Sequence, residues 1–406
     1  MVGWKQCLLG EVVNLKRGYD LPHSARSPGP FPVVSSSGIT DHHSEAKVKG
    51  PGVVTGRYRT LGQVFFVESD YWPLNTSLYV QNFMGNDPRF VSYLLGTLNF
   101  GLQNAAGAVP GVNRNHLHAI EVRVPPLPAQ RRIAGILSAY DDLIENTQRR
   151  IKILEAMARA LYREWFVHFR FPGHESVPRV PSPLGEIPQG WEVKRMPDCI
   201  HINPRVAVPR DGEKPFVPMG CLSNDSMLIA DVESRAGNSG AKFQNGDTLF
   251  ARITPCLENG KTGYVQFLPE AQSVGFGSTE FIVLRSRTLT PEFVYLLARS
   301  DEFRGVAIKS MSGATGRQRV QEKCFEDFQI VHPPHDLLEI FSTIVAPRFS
   351  LIYKLHLQIQ NLRRTRDLLL PRLLSGQLAV DAVSGAISAP PFAAPCGAVA
   401  AMGPGI

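Results

Sequence analysis

At 406 residues, 43% hydrophobic and 19% charged, the chain holds enough apolar material for two globular, soluble domains of ordinary size. Its net charge of +7 favours a polyanionic partner, nucleic acid first, while saying nothing of fold. Six cysteines (Cys7, Cys199, Cys221, Cys256, Cys324, Cys396) stand singly without C-x-x-C spacing, which argues against a zinc site, a redox pair or a disulfide framework. There is no signal-type apolar core and no run of about 18 apolar residues, so the expected setting is the cytoplasm, with no membrane partner.

Residues 1–127 alternate β-branched or aromatic runs (GVVTG, QVFFVES, TSLYVQN, IEVRV) with Gly, Pro and Asn punctuation, and helix enters mainly at PRFVSYLLGTLNF. From Ala129 to Pro172 the spacing becomes helical. Ile133, Leu137, Tyr140, Ile144, Thr147, Ile151, Leu154, Ala158, Leu161 and Trp165 step by 4 and 3, a heptad seam with one polar entry, on a helix predicted over 128–171. Residues 172–189 are proline-rich and read as an extended linker. Residues 190–333 return to short strand-like runs (DTLFARI, TGYVQFL, TEFIVLRS), followed by a helical PEFVYLLARSDEF. A second long helix is predicted over 334–379, kinked at Pro347 so that 335–346 form a separate short helix. The tail, 380–406, is rich in Ala, Gly, Pro and Ser and is expected to be disordered.

The chain repeats itself. Gly107 in AAGAV matches Gly313 in MSGAT, and Pro125-Pro126 matches Pro333-Pro334. In the helices the offset holds at 208, pairing Leu143-Ile144 with Leu351-Ile352, Ile151 with Ile359, Leu154 with Leu362 and Leu161 with Leu369. The second seam then reads Phe341, Val345, Arg348, Ile352, Leu355, Ile359, Leu362, Arg366, Leu369 and Leu373, with two arginines as departures. Earlier the offset drifts, from 187 at Gly190-Trp191 to 203 at PEFVYLL, as insertions in a variable globular part would make it. If the seams pack antiparallel, the duplication is a pseudo-dyad. Helices of about 40 residues at 1.5 Å per residue would then hold two unlike heads roughly 60 Å apart. The competing arrangement folds each helix back on its own head, and a seam kept through ten positions argues against it. Two unlike basic heads on a ruler fit the reading of an asymmetric, interrupted DNA target.

Four segments in order strengthen the case: VPPLPAQRRIAGILSAYDDLIENTQRRIKILEAMARALYREWF (Val124 to Phe166), GEIPQGWEV (Gly185 to Val193), GDTLFARITPCLENGK (Gly246 to Lys261) and LLLPRLLSGQL (Leu368 to Leu378). With them the chain strongly resembles, over nearly all of residues 1–380, the DNA-specificity subunit of Type I restriction–modification systems. The resemblance implies an α+β fold: two similar mixed α/β target-recognition domains (1–127 and 190–333), separated by a long antiparallel two-helix coiled coil, with a pseudo-two-fold internal repeat. It implies no catalysis by this chain, each domain reading half of a bipartite site on double-stranded DNA. The implied partners are two methyltransferase subunits and two restriction/translocase subunits. Adenine-N6 methylation would use S-adenosylmethionine held by the partner, so no cofactor is expected here. One departure is that PPHDLLEIFSTIVAP offers no Gln where PPLPAQRRI has Gln130, and the tail has no counterpart in the family.

Catalytic motifs are missing. Ile202-Asn203-Pro204-Arg205 lacks the aromatic of an amino-methyltransferase segment, and Gly260-Lys261-Thr262 has Pro255 where a P-loop needs glycine. Asp20 with Glu45-Ala46-Lys47 imitates a metal-nuclease spacing in residues too common to carry it. His42-His43 and His116-x-His118 lack a third ligand, so no metal is expected. Candidate DNA contacts are polar or basic residues in Gly-rich loops, since Lys and Arg neutralise phosphates while Arg, Asn and Gln read base edges. In the first half these are Lys16, Arg17, Ser36, Ser37, Arg57, Arg59, Asn113, Arg114 and Asn115; in the second, Arg252, Asn259, Lys261, Arg317, Gln318 and Arg319. For each, a solvated surface group is the ordinary alternative. Two other functions stay open: a chain that itself cuts or modifies DNA, which the missing motifs disfavour, and a non-catalytic coiled-coil scaffold that organises protein partners without reading DNA.

Overall fold

The computed structural model describes residues 3–57, 62–98, 113–269, 273–314 and 316–378. The expectations for Arg59, Gly107 and the 380–406 tail lie outside the described residues. Two compact units result: Met1–Ile144 with Leu362–Ile406, and Glu145–Asn361.

Unit 1 runs through β1 (Lys5–Leu8), α1 (Leu9–Val12), β2 (Asn14–Arg17), β3 (Phe31–Ser35), β4 (Gly38–His43), β5 (Gly52–Gly56), β6 (Val64–Val67), β7 (Trp72–Pro73), β8 (Ser77–Asn82), α2 (Pro88–Thr97), α3 (Arg114–His118) and β9 (Glu121–Val124). One sheet is antiparallel in the order β2-β8-β5-β6, and a second has the order β4-β3-β7 with β3 and β7 parallel. β1 pairs antiparallel with β9, Lys5 opposite Val124. The PRF segment becomes helix because Asp87 caps it, its carboxylate accepting from Phe90 N at 2.9 Å, with Pro88 in the first turn where no N–H is needed.

β9 leads into α4 (Leu127–Tyr162), which continues in a π-helical turn, Arg163–Val167. In unit 1 its first turns send Ile133 and Leu137, both fully buried, into the core with Leu15, Phe90 and Leu117. Each such side chain contributes about 1.5–3 kcal/mol of burial.

In unit 2 the end of α4 is followed by a hairpin, β10 (Arg179–Ser182) with β11 (Gly185–Pro188). The proline-rich segment is therefore partly paired, not wholly extended: Gly185, at φ +96°, supports the tight reversal. There follow β12 (Glu192–Arg195), α5 (Met196–Cys199), β13 (Ile200–Ile202), β14 (Glu213–Val217), β15 (Glu233–Ala236), β16 (Ala241–Gln244), β17 (Thr248–Ala251), β18 (Thr262–Tyr264), β19 (Val274–Gly277), β20 (Phe281–Ser286), α6 (Pro291–Arg299), α7 (Asp301–Lys309) and β21 (Gln329–His332). The sheets have the orders β13-β20-β17-β18 and β15-β14-β19-β16, and β12 pairs with β21. α6 repeats the start of α2, Thr290 capping Phe293 N with Pro291 in the first turn.

α8 (His335–Leu374) is one continuous helix through Pro347, a correction to the predicted break. Val345, Phe349 and Ile352 are buried on either side of the proline, and their packing holds the turn that its missing N–H weakens. α8 starts in unit 2, where Phe349 packs edge-on to Tyr264 of β18, and ends in the core of unit 1, where Leu373 and Leu374 are buried. Of the seam, Ile133, Leu137, Ile144, Ile151, Ile352, Leu355 and Ile359 are buried, as is Thr147, while Leu154, Leu161, Leu362 and Leu369 are half-buried. In unit 2 the end of α4 turns a second face inward, with Glu155, Tyr162, Trp165 and Phe166 buried and Phe166 packed edge-on to Phe341 of α8. No helix among the described residues is long and apolar enough to cross a membrane.

Candidate nucleic-acid interface

In unit 1 the turn Leu74–Ser77 between β7 and β8 gathers the ends of several strands. Leu74 N donates to Val34 O (2.8 Å), Asn75 N to Tyr19 O (3.0 Å), Arg57 N to Thr76 O (3.2 Å) and Gly18 N to Ser77 O (3.1 Å). Gly18 is required here, because a Cβ would overlap the carbonyls of Pro73 and Leu74. The gathering brings Lys16, Arg17 and Arg57 to one edge, Arg17 and Gly56 facing Leu78 and Ser77 on either side of β8. Arg17 is exposed, and Lys16 lies 5.8 Å from the Tyr19 ring. Ser36 and Ser37 occupy the β3–β4 turn, where the hydroxyls of Ser35 and Ser37 bond each other at 2.9 Å.

Asn113, Arg114 and Asn115 lie elsewhere in the unit. Asn113 caps α3, its side chain accepting from Asn115 N at 2.9 Å, and α3 is tied to the start of β2 by Leu15 N donating to His118 Nε2 (3.0 Å). Burial pushes the His118 imidazole down, keeping that nitrogen an acceptor. His43 Nδ1 likewise accepts from Ser27 N (3.0 Å), so both histidines serve the fold. Two of the nuclease-like trio are also engaged: Asp20 accepts from Asn75 Nδ2, and the Lys47 ammonium sits 4.7 Å over Trp72.

In unit 2 two loops, 252–261 and 311–320, zip together. Thr254 N donates to Gln318 O (3.0 Å), Gln318 N to Thr254 Oγ1 (3.1 Å) and Val320 N to Arg252 O (2.8 Å), with Ile253 bridging Arg319. The two loops that carry all six candidates of the second half, Arg252, Asn259, Lys261, Arg317, Gln318 and Arg319, are therefore neighbours, joined at Arg252–Thr254 and Gln318–Val320. Their side chains divide by role. Arg252 bonds Glu322 (2.7 Å) and Val320 O, Arg319 is bidentate on Glu280 (2.6 and 2.9 Å), and Lys261 Nζ donates to Met219 O (3.0 Å). Arg317 and Asn259 are exposed and make no side-chain bond among the described residues. Lys261 leads into strand β18 instead of a helix, so no phosphate cradle forms behind it.

Beside this patch opens a cleft of about 630 Å³ lined by Asn203, Arg205, Lys242, Arg252, Thr279 and Phe281 among others, with no carboxylate in its wall. Arg205 and Lys242 make no ion pair among the described residues. Asn203, in the left-handed region at φ +47°, floors it: its side chain accepts from Val283 N and donates to Glu322, both at 2.9 Å. Sequence reading passed over Arg205 and Lys242 as DNA contacts; they are isolated in the chain and come to line one cleft with Arg252 through sheet pairings, β13 and β17 with β20 and β16 with β19.

Residues 1–156 match the family model described as the Type I restriction modification DNA specificity domain. The chain is 26% identical over 358 residues to the Type I restriction enzyme MjaIX specificity subunit of Methanocaldococcus jannaschii, covering 82% of this chain and 78% of that one. It is 34% identical over 157 residues to the EcoEI specificity subunit of Escherichia coli, covering 37% of this chain and 26% of that subunit. A crystal structure of the Type I restriction–modification S subunit from M. genitalium shares the fold, with a TM-score of 0.62 over 92% of this chain and 96% of that chain at 13% identity. The first 156 residues thus resemble a DNA specificity domain, and most of the chain is similar to Type I restriction enzyme specificity subunits.

Proposed function

We propose that the chain reads an asymmetric, bipartite site on double-stranded DNA, each unit contacting one half. Two target-recognition domains, 1–127 and 190–333, would carry the readout, and α4 and α8, packed antiparallel as a coiled coil, would set the spacing. The observation that carries this reading is the patch of unit 2. An exposed arginine, Arg317, and an exposed amide, Asn259, lie on the two loops that meet at Arg252, and Arg252 lines a cleft whose cations Arg205 and Lys242 have no acidic neighbour in its wall. That is the division of labour duplex recognition needs: point charges for phosphates, planar donors for base edges. The edge of unit 1 around Lys16, Arg17 and Arg57 is its counterpart. Catalysis would come from two methyltransferase subunits and, for cleavage, two restriction/translocase subunits in the cytoplasm.

Co-expression with the methyltransferase partner tests the reading by long-read methylation sequencing. The expected outcome is N6-methyladenine in one interrupted motif with unlike halves. Methylation without such a motif, or no salt-dependent duplex binding by the assembled complex, overturns it. Lengthening α4 and α8 by matched turns is expected to widen the gap and leave both half-sites unchanged.

A further inference from the structure

The loop that presents Asn259 and Lys261 is held from behind by one arginine whose donors are all in use. Arg299, at the end of α6, donates through Nε to the Tyr295 hydroxyl (2.9 Å), through Nη1 to Asn224 O (2.7 Å) and Gly260 O (2.8 Å), and through Nη2 to Ser226 O and Thr262 O. A guanidinium has five N–H donors, and each meets an acceptor; an ammonium, with three, cannot reproduce the fork. Burial pushes the Tyr295 phenol up to about 12, so it stays neutral. The two loops that Arg299 grips are already in close contact: Gly260, at φ +84°, has no room for a Cβ against Asn224 O.

The second brace comes from α4. The Glu155 carboxylate, 5% exposed, accepts from Ser226 Oγ (2.6 Å) and Met227 N (2.8 Å), and Arg159 Nη1 donates to Asp225 O (3.3 Å). Ser226 is thus held at its carbonyl by Arg299 and at its hydroxyl by Glu155. A buried carboxylate facing solvent-side loop residues is costly unless its bonds are made, so it fixes one pose of the 223–227 loop, and through Arg299 one pose of 257–262.

We infer that Arg299 and Glu155 are positioning residues for base readout by unit 2: they lock the Asn259–Lys261 loop onto the long helix without touching DNA. This rests on the DNA-reading function proposed above. A loop held in one pose discriminates between bases, whereas a loose loop keeps its charge and loses its selectivity.

The test uses the full chain assembled with its methyltransferase partner, measuring methylation rates on the cognate duplex and on duplexes with single-base changes in either half-site. For R299K, discrimination in the half-site read by unit 2 is expected to fall about tenfold. Discrimination in the other half-site and affinity for non-specific DNA are expected to stay within about twofold. S226A, which removes the hydroxyl link to Glu155 and the longer bond from Leu228 N (3.3 Å) within the same loop, is expected to give a smaller loss of the same kind, and it decides the matter if R299K does not fold. Full discrimination in the folded variants overturns the inference. Equal loss in both half-sites overturns it as well, as that is general destabilisation. Wild-type complex that discriminates at neither half-site refutes the DNA-reading function itself, a result distinct from either.

Discussion

Arg366 of α8 and Asp141 of α4 form an ion pair at 2.6 Å, at one of the two positions where the second heptad seam abandons an apolar residue. The other oxygen of Asp141 accepts the Tyr93 hydroxyl at 2.5 Å, so one carboxylate joins both long helices to α2 within unit 1. The arginine at this heptad position is answered by a carboxylate, so its charge is not left unpaired.

A double-mutant cycle over D141A and R366A should therefore show a coupling of about 1 kcal/mol, modest because both side chains keep roughly 30% of their exposure. Denaturant midpoints of the four proteins measure it. Strict additivity of the two single variants would remove the pair from the account.

Gln130 is 2% exposed and ties α4 to the turn before α2, accepting from Asp87 N (2.9 Å) and donating to Asn86 Oδ1 (2.8 Å) and Pro125 O (2.9 Å). Q130A leaves a buried N–H and a buried carbonyl without partners and should cost about 2–3 kcal/mol. Thermal unfolding of the variant would report it, and an unchanged midpoint would refute the role. The second half has Leu338 at the equivalent place, 2% exposed, and meets the need with packing.

The hydrogen bond from Arg319 holds the Glu280 carboxyl below its ordinary 4.5, against a smaller opposing push from burial. A carboxyl depressed on folding stabilises fully above its unfolded value and loses that contribution as pH falls through the folded one. Wild type should thus exceed E280Q in stability above pH 4.5, the gap closing below it. Urea titrations of the pair across this range decide; a gap independent of pH would contradict the linkage.

Lys242 has no hydrogen-bond or ion-pair partner among the described residues, so K242A should leave folding intact and act on DNA alone. If its ammonium neutralises one phosphate, the slope of log K against log salt should fall by about 0.9. Anisotropy titrations of the assembled complex at several salt concentrations give the slope. No change would place Lys242 outside the interface.

Sequence alone determined the period and the punctuation. The 4-3 spacing from Ile133 to Trp165, the helical PRF and PEF segments and the 208-residue offset are one-dimensional signals, because helix phase is written in apolar spacing over a few residues. Long-range pairing decided the rest. That β1 closes on β9, that Pro347 is carried inside α8, and that the 172–189 segment holds a hairpin all depend on partners far away or on burial that outweighs a local preference. The candidate site shows the same limit. Arg252, Lys261 and Arg319 looked like Arg317 in the chain, yet their heads meet Glu322, Met219 O and Glu280, while Arg205 and Lys242 become neighbours of the patch only across sheet pairings. A side chain's freedom to meet DNA is fixed by which acceptors fold next to it, and that is a property of the tertiary structure.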